Sequence, residues 1–438
     1  MRMNEKVKVF RYIEEHSNDI VDFLKKYISI PSVNNGLAEG EKEKEVQDWL
    51  ANTLISYGFK VDKFAEDPKK VRPNVVAILK GCGSGRDLIL NGHSDTVDIK
   101  EPEKWSTDPF NPVIKDGKLY GRGASDMKGG NTAAVWAMKA LKECGIDLKG
   151  DVFMEFVVGE ESNEGNIGTI AVINKGYKAP FAIILEPSNL DIYIASVGVF
   201  HFELTIPGKA AHNCSRNQVM FPQPYGIESG NAVGVDALEK ALPFIDYFRR
   251  LEKQWNQRWR DPILGAGGHP VSDNVGVGIF TINPNLIEGG TYKASIPGYV
   301  KITYSACYPN NIPMESLWDE IKKAINALSS TDDWLKTNPP ILNMLTSRNW
   351  EGFETSEDEL GIRILKSSYK DVTGCEPIVT GCKFLSDAGH LNKGGIPSII
   401  LGPGGISYGV HGDNEYIPIE DVIKATKIYA SFIIDWCK

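Results

Sequence analysis

The 438-residue chain has no C-x-x-C pair, no run of basic residues, no internal repeat and no low-complexity tract. Each absence closes off a class of function. The seven cysteines (Cys82, Cys144, Cys214, Cys307, Cys375, Cys382 and Cys437) are scattered and odd in number. That argues against a disulfide framework or a thiolate zinc site, and for a reducing compartment. The formal net charge is −9, and without a basic patch neither nucleic acid nor an anionic membrane is an expected partner. No stretch approaches the roughly 20 apolar residues that a membrane helix needs. The opening MRMNEKVKVFRYIEEH also lacks the apolar core of a signal peptide, so the expected compartment is the cytoplasm.

What is present reads as ordinary globular protein, 42% hydrophobic and 24% charged, with a length that suggests two domains. The first 60 residues carry apolar side chains at helical spacing, in KVFRYIEEHSNDIVDFLKKYI and again in EKEKEVQDWLANTLISYG. Strands are expected over 74–79, 87–92, 151–158 and 181–185, with helices over 129–145 and 166–176. The same texture returns in PSIILG (397–402) and the helical pattern after it. Alternating strands and helices with nearly continuous apolar strands predict an α/β fold, a mostly parallel sheet with helices on both faces. From about Gly198 to Tyr308 the strands instead alternate apolar and polar, as in FHFELTI and YVKITYSA, around a helix near 231–253. This predicts an inserted α+β domain with an antiparallel sheet. The expected division is 1–197 and 309–438 for the two parts of a catalytic domain, with 198–308 inserted.

Chemistry gathers where the strands end. His93-Ser94-Asp95 follow one strand, Asp126 precedes a helix, Glu160 and Glu161 end VVGEE, Glu186 follows FAIIL, and His411 lies beyond PSIILGPGG. In an open α/β sheet, ligands bind outside the carboxyl ends of the strands. Taken singly, each of these is an ordinary solvated loop residue. Together they would bury several carboxylates close to one another, which is costly unless something positive sits among them. A pair of divalent ions is the economical answer. Imidazoles with carboxylates and no thiolate suit zinc, with cobalt or manganese as substitutes. In His93-x-Asp95 the carboxylate can take the imidazole N–H and fix the tautomer of a metal-binding histidine. The adjacent Glu160 and Glu161 can diverge at a strand end, one towards the ion and one towards its water. Without the other four segments, two solvated acids would be the simpler account. GRGAS lacks the third glycine and the Lys-Ser/Thr of a nucleotide loop, which leaves a nucleotide-binding enzyme as a weak alternative.

These motifs resemble those of the di-zinc amidohydrolases, the family that includes aminoacylase, acetylornithine deacetylase, succinyl-diaminopimelate desuccinylase and glutamate carboxypeptidase. NGHSDTVD, GRGASDMKGG, GEESNEG, LEPSN and GPGGISYGVHGDNEYI stand in the family's order and span nearly the whole chain. GKAAHNCS (208–215) resembles the histidine motif of the family's lid and dimerisation domain. The resemblance implies a zinc-exopeptidase-like fold in which Asp126, followed by a cis bond to Met127, bridges two ions. His93 and Glu186 would complete one ion, and Glu161 and His411 the other. Glu160 would be the general base, Asp95 the orienter of His93, and His212 the residue that reaches across a homodimer. The implied reaction is hydrolysis of a small-molecule amide, an N-acyl amino acid or a related amide, with a peptide as the alternative substrate. A silent binding protein on this fold would be expected to lose ligands, and here all five positions and the base remain. Of the other histidines, His16 is expected to face solvent, His201 to pack within its strand, and His269 and His390 to carry no role.

The sequence departs from the family at one place. Members that cleave N-acyl amino acids commonly carry an Asn before the I-P of a lid strand and an Arg some ten residues after it, which grip the substrate carboxylate. In KASIPGYVKITYSACYP those places hold Ala294 and Cys307. An Arg–carboxylate pair supplies geometry as well as energy. Either Arg216 or Arg348 takes over the grip, or the substrate lacks that carboxylate. Glutamate rather than aspartate at 186 leans towards the deacylases over the dipeptidases.

Overall fold

A computed structural model of the chain describes residues 2–34, 41–216, 233–259, 261–264, 278–345 and 349–438. The helical spacing of the first 60 residues forms α1 (Arg2–Glu15), α2 (Ser17–Ile28) and α3 (Glu41–Ser56). In α2 the buried face is Ile20, Val21, Phe23, Leu24, Tyr27 and Ile28, the three-and-four spacing of a helix laid against a core. Next come β1 (Lys60–Phe64), β2 (Asn74–Leu79), β3 (Leu88–His93), α4 (Gly129–Glu143), β4 (Val152–Val157), α5 (Thr169–Lys175), β5 (Ala182–Ile184) and β6 (Ile192–Ser196). Every residue of β3 and β5 is buried, as expected for strands covered on both faces. The helix expected to begin at 166 begins at Thr169, because the preceding turn folds back on itself, with Glu164 N–H donating to Gly159 O and Ile167 N–H to Glu164 O.

Contacts divide the chain into two units, the first built from residues up to Ser196 and from Phe353 onward, the second from Val197 to Gly352. The second contains β7 (Gly198–Pro207), α6 (Ala237–Arg258), β8 (Thr281–Gly289), β9 (Tyr299–Tyr308), α7 (Met314–Ser329) and β10 (Ile341–Met344). Its sheet runs β8-β9-β7-β10, antiparallel throughout. Alternation is clear in β7 and β9, where every second residue is buried. Asp236 sets the start of α6 by accepting from the N–H groups of Leu238 and Glu239. The return to the first unit was expected at 309, but the second unit continues to Gly352. The reason is pairing: β10 lies antiparallel beside β7, with Ile341 opposite Thr205 and Met344 opposite Phe202. Trp334 Nε1 also donates to Pro207 O at 3.0 Å.

The chain then completes the first unit with α8 (Leu360–Thr373), β11 (Val379–Cys382), α9 (Ala388–Lys393), β12 (Ser398–Ile400) and α10 (Ile419–Cys437). The eight strands of its main sheet lie in the order β1-β2-β4-β3-β5-β12-β6-β11. The β4-β3, β3-β5, β5-β12 and β6-β11 pairs are parallel; β1-β2, β2-β4 and β12-β6 are antiparallel. This is the mostly parallel α/β sheet read from the sequence, flanked by helices. Among the described residues no helix is long and apolar enough to cross a membrane.

Candidate metal centre

Four of the segments singled out in the sequence leave neighbouring strands at the same edge of the sheet. His93 closes β3, Glu160 and Glu161 follow β4, Glu186 follows β5, and the loop after β12 runs to His411. Asp126 stands in the turn that opens α4, and its bond to Met127 is cis. Two close approaches seat these turns. A side chain at Gly130 would meet Leu185 O at 2.1 Å, and one at Gly402 would meet Glu186 O at 2.3 Å, so only glycine lets the start of α4 and the end of β12 lie against the Glu186 turn. His411 itself is held at φ 59, a left-handed conformation uncommon outside glycine.

The side chains converge. His93 Nε2 lies 3.1 Å from Asp126 Oδ1 and 3.6 Å from Glu186 Oε1. His411 Nε2 lies 3.0 Å from Glu161 Oε2 and 3.4 Å from Asp126 Oδ2. The result is two three-residue sets, His93–Asp126–Glu186 and Asp126–Glu161–His411, whose donor atoms lie within 4.8 Å of one another in each set and which share Asp126. His93 is 1% exposed, whereas the His411 side chain is 55% exposed. The cluster is therefore closed on one side and open on the other.

Its electrostatics describe a set short of positive charge. Burial, then the charge of Asp126, pushes Glu186 well above the usual carboxyl range. Burial likewise pushes Glu160 far up, with the charges of Glu161, Asp387 and Asp126 adding to it against the pull of His93. Glu161 moves up for the same reasons, burial first and then Asp126. Burial presses His93 down, yet its hydrogen bond to Asp126 and the charges of Glu186 and Glu160 outweigh that and hold it well above the ordinary imidazole value. The hydrogen bonds to Asp126 and Glu161 lift His411 to about 10. Burial works against Asp126, but the two imidazoles hold it far below the normal carboxyl range. A set in which acids resist losing protons and imidazoles resist losing theirs fits divalent cations, whose charge would replace those protons. The imidazole nitrogens and carboxylate oxygens are donors suited to such ions.

Asp95 lies against His93 through its backbone rather than its carboxylate. The backbone carbonyl of Asp95 meets His93 Nδ1 at 2.9 Å, while its carboxylate Oδ1 stands 3.7 Å away. The other carboxylate oxygen accepts from Asn34 Nδ2 at 2.9 Å and from Glu161 N–H at 3.1 Å. Asp95 thereby ties the imidazole to the turn that carries the paired glutamates. His212 belongs to the second unit, where it is exposed and accepts from Cys214 N–H at 3.2 Å. Arg216 is committed elsewhere, paired with Asp236 and Glu239. Cys307 sits in β9 opposite Val199, its thiol pushed up by burial, and Ala294 O accepts from Asn213 N–H. Arg348 and His269 lie outside the described residues. His16, expected to face solvent, is half-buried and stacks on Tyr12 at 4.0 Å; His201 is half-buried in β7.

Several residues that frame the cluster escaped the sequence reading. Glu43, 1% exposed, pairs with Arg72 and accepts from Gly159 N–H at 3.1 Å, just ahead of Glu160. Arg72 Nη1 reaches on to Glu164 at 2.7 Å. Lys128 is fully buried, donating to Tyr27 O and Ile30 O, and Asn131 Nδ2 donates to His93 O at 2.7 Å. Arg122 and Glu415 form a buried pair at 2.7 Å. Lys128, Arg122 and Glu415 all stand inside the quoted motifs, which was the available signal. Glu43 and Arg72 stand in none.

Comparison with known proteins agrees with this geometry. A family model described as Peptidase family M20/M25/M40 matches residues 89–435. The chain is 34% identical to the N-formyl-4-amino-5-aminomethyl-2-methylpyrimidine deformylase of Bacillus subtilis (strain 168), across 97% of this chain and 96% of that one. It is 26% identical to a probable succinyl-diaminopimelate desuccinylase of Staphylococcus aureus (strain MRSA252), across 91% and 94%. Among solved structures, human carnosine dipeptidase 1 matches with a TM-score of 0.70 at 18% identity, covering 99% of each chain. That last likeness is one of fold.

Proposed function

The chain belongs to peptidase family M20/M25/M40, a family of metal-dependent hydrolases, and from that premise we propose that it removes a small acyl group, formyl first among them, from an amine that carries no α-carboxylate. The observation that carries the reaction is the pair of ligand sets sharing Asp126, with Glu160 directly beside the ligand Glu161. Two ions, zinc or else cobalt or manganese, would be held by His93, Asp126 and Glu186 and by Asp126, Glu161 and His411. When bound, such ions polarise the amide carbonyl and make an attacking water more acidic.

The remaining work falls to the protein's own groups. Glu160 takes a proton from the attacking water as its oxygen bonds to the carbonyl carbon. It returns that proton to the amide nitrogen as the C–N bond breaks, leaving a carboxylic acid and a free amine. Asp95, through its carbonyl, keeps His93 in the tautomer that leaves Nε2 facing the cluster. His212 of the partner subunit would donate to the developing oxyanion. A homodimer is supported by the outer edge of the second unit. There, among the described residues, β8 pairs only with β9 and exposes Leu286 and Ile287 at 61% and 60%, an edge that proteins ordinarily cover.

The substrate reading rests on the nearly full-length likeness to a deformylase and on the residues where a carboxylate grip would stand. Ala294 and Cys307 carry no cation, and Arg216 is already paired. The test is amine release from N-formyl and N-acetyl amines, N-formyl, N-acetyl and N-succinyl amino acids, and dipeptides, by the protein loaded with zinc or cobalt. Carboxylate-free formyl or acetyl amines are expected to exceed their amino-acid counterparts at least tenfold in kcat/KM. The opposite ranking would overturn the substrate and leave the reaction standing, whereas no hydrolysis of any of them would overturn both.

A further inference from the structure

A fully buried carboxylate in the first unit accepts four hydrogen bonds yet touches no ligand atom of the cluster. Glu415 stands four residues beyond His411 and is 0% exposed. One carboxylate oxygen accepts from Ser125 N–H at 2.8 Å and Asp126 N–H at 3.0 Å. The other accepts from Gly123 N–H at 2.9 Å and Arg122 Nη1 at 2.7 Å. All four donors lie within Arg122–Asp126. Arg122 in turn donates Nη2 to Gly412 O at 2.8 Å, next to His411, and lays its guanidinium over the ring of Trp105 at 5.3 Å. Gly121 N–H adds a bond to Glu415 O at 2.9 Å.

We propose that Glu415 is a positioning residue for the metal centre, with Arg122 as its counter-ion, and that together they fix the distance between Asp126 and His411. The inference rests on the reading of the cluster as a metal site. Its physical basis is direct. Asp126 is common to both ligand sets, so a shift of its turn disturbs both ions at once. Converging backbone N–H groups form an anion-binding nest, and here the anion filling it comes from the segment that delivers His411. One carboxylate therefore registers two turns almost 290 residues apart in the chain. The contacts are charge-assisted and made inside the protein, where such bonds are short and strong. A buried ion pair that served only the fold would have no need to gather three backbone donors from the single turn bearing Asp126.

The experiment measures metal binding rather than turnover alone. Full-length apoprotein carrying Glu415→Gln, Glu415→Asp or Arg122→Lys is titrated with Zn2+ and Co2+ against a competing chelator. The visible spectrum of the Co2+ form and the melting temperature of each apoprotein are recorded alongside. Glu415→Gln keeps the volume but sets an amide N–H against the donors of residues 123–126. It should weaken metal affinity 10- to 100-fold, as loss of outer partners does at other metal sites, and change the Co2+ spectrum. At saturating metal, kcat should remain lowered with KM little changed. Arg122→Lys keeps the charge but loses the reach to Gly412, so a smaller loss in the same direction is expected. A variant with a lower apoprotein melting temperature but wild-type metal affinity and Co2+ spectrum would show a purely structural pair and overturn the proposal. Should Glu415→Gln fail to fold, Glu415→Asp and Arg122→Lys decide by the same two readouts. If the wild type takes up no divalent ion, it is the reading of the cluster that fails. If the wild type and the variants bind alike, only the positioning role fails.

Discussion

The two units differ in the charge they bury. Within the first, His93, Asp95, Asp126, Glu186, Glu155, Glu415, Arg122 and Lys128 are all 9% exposed or less. Among the described residues of the second, the buried polar side chains are Asp236, Asp261 and Ser329, and each has a partner within a few residues of itself. Asp236 caps α6, Asp261 accepts from Ile263 and Leu264 N–H, and Ser329 donates to Ile325 O. The interior there is aromatic. Phe202 stacks on Tyr304 at 4.9 Å, with Phe248 and Trp318 at 5.8 and 5.7 Å. Buried charge destabilises a fold unless it is paired or held for a purpose, and its concentration in the first unit coincides with the two candidate ligand sets. The other unit is built for packing.

That contrast can be broken at three points of decreasing size. Glu160→Gln removes a proton carrier and leaves the ligand sets intact. Activity should fall by about 10²- to 10⁴-fold, the usual worth of general acid–base catalysis, while metal content by elemental analysis stays at the wild-type level. Retained turnover would remove Glu160 from its role. Phe202→Ala opens the aromatic interior of the second unit and should cost about 3–5 kcal/mol of stability in denaturant melts, with metal uptake per folded molecule unchanged. A loss of uptake in the folded fraction would show that the two interiors are not independent.

The last effect is a slope, the smallest of the three per unit of pH. Burial pushes the Glu155 carboxyl up to about 8, against the pull of Asn91 and with help from the charge of Asp387. Unfolded, the same group titrates near 4.3 or so. Between those values the folded protein holds a proton that the unfolded chain has released, so this contribution to stability is full below about pH 4 and declines as pH rises towards 8. Glu155→Gln lacks that decline. Its stability relative to wild type should therefore climb with pH across the window, by up to about 1.4 kcal/mol per unit. Parallel stability profiles for the two proteins would show that Glu155 is ionised in the fold at neutral pH.

The contrast was only partly visible in the sequence. His93, Asp126, Glu161 and Glu186 could be picked out because each stands at or just past a strand end or helix start, and His411 because it lies in the loop that follows such a strand. Hydrophobic alternation likewise separated β7 and β9 from the continuous runs of β3 and β5. What could not be read was pairing at a distance. Glu43 sits in an ordinary helical pattern and Arg72 in a loop, and nothing local says that they meet behind Gly159. The late boundary of the second unit escaped for the same reason. The amphipathic pattern of α7 fits either unit, and it is assigned by contacts at a distance, Trp318 against Phe202 and the pairing of β10 with β7. Asp95 was found, yet whether its carbonyl or its carboxylate faces His93 is a matter of backbone path that residue type does not encode.

The insertion of the second unit within the sequence of the first also sets an order of events during synthesis. His93, Asp126, Glu161 and Glu186 leave the ribosome before that unit, and His411 after it. Until β12 emerges, β5 and β6 lack the strand that lies between them, so the half-made chain carries open sheet edges of the kind that invite mispairing. At typical elongation rates that interval lasts on the order of ten seconds, time enough for the second unit to fold first. The His93–Asp126–Glu186 set is thus complete in the chain before the second unit is made, whereas the Asp126–Glu161–His411 set is completed only after it.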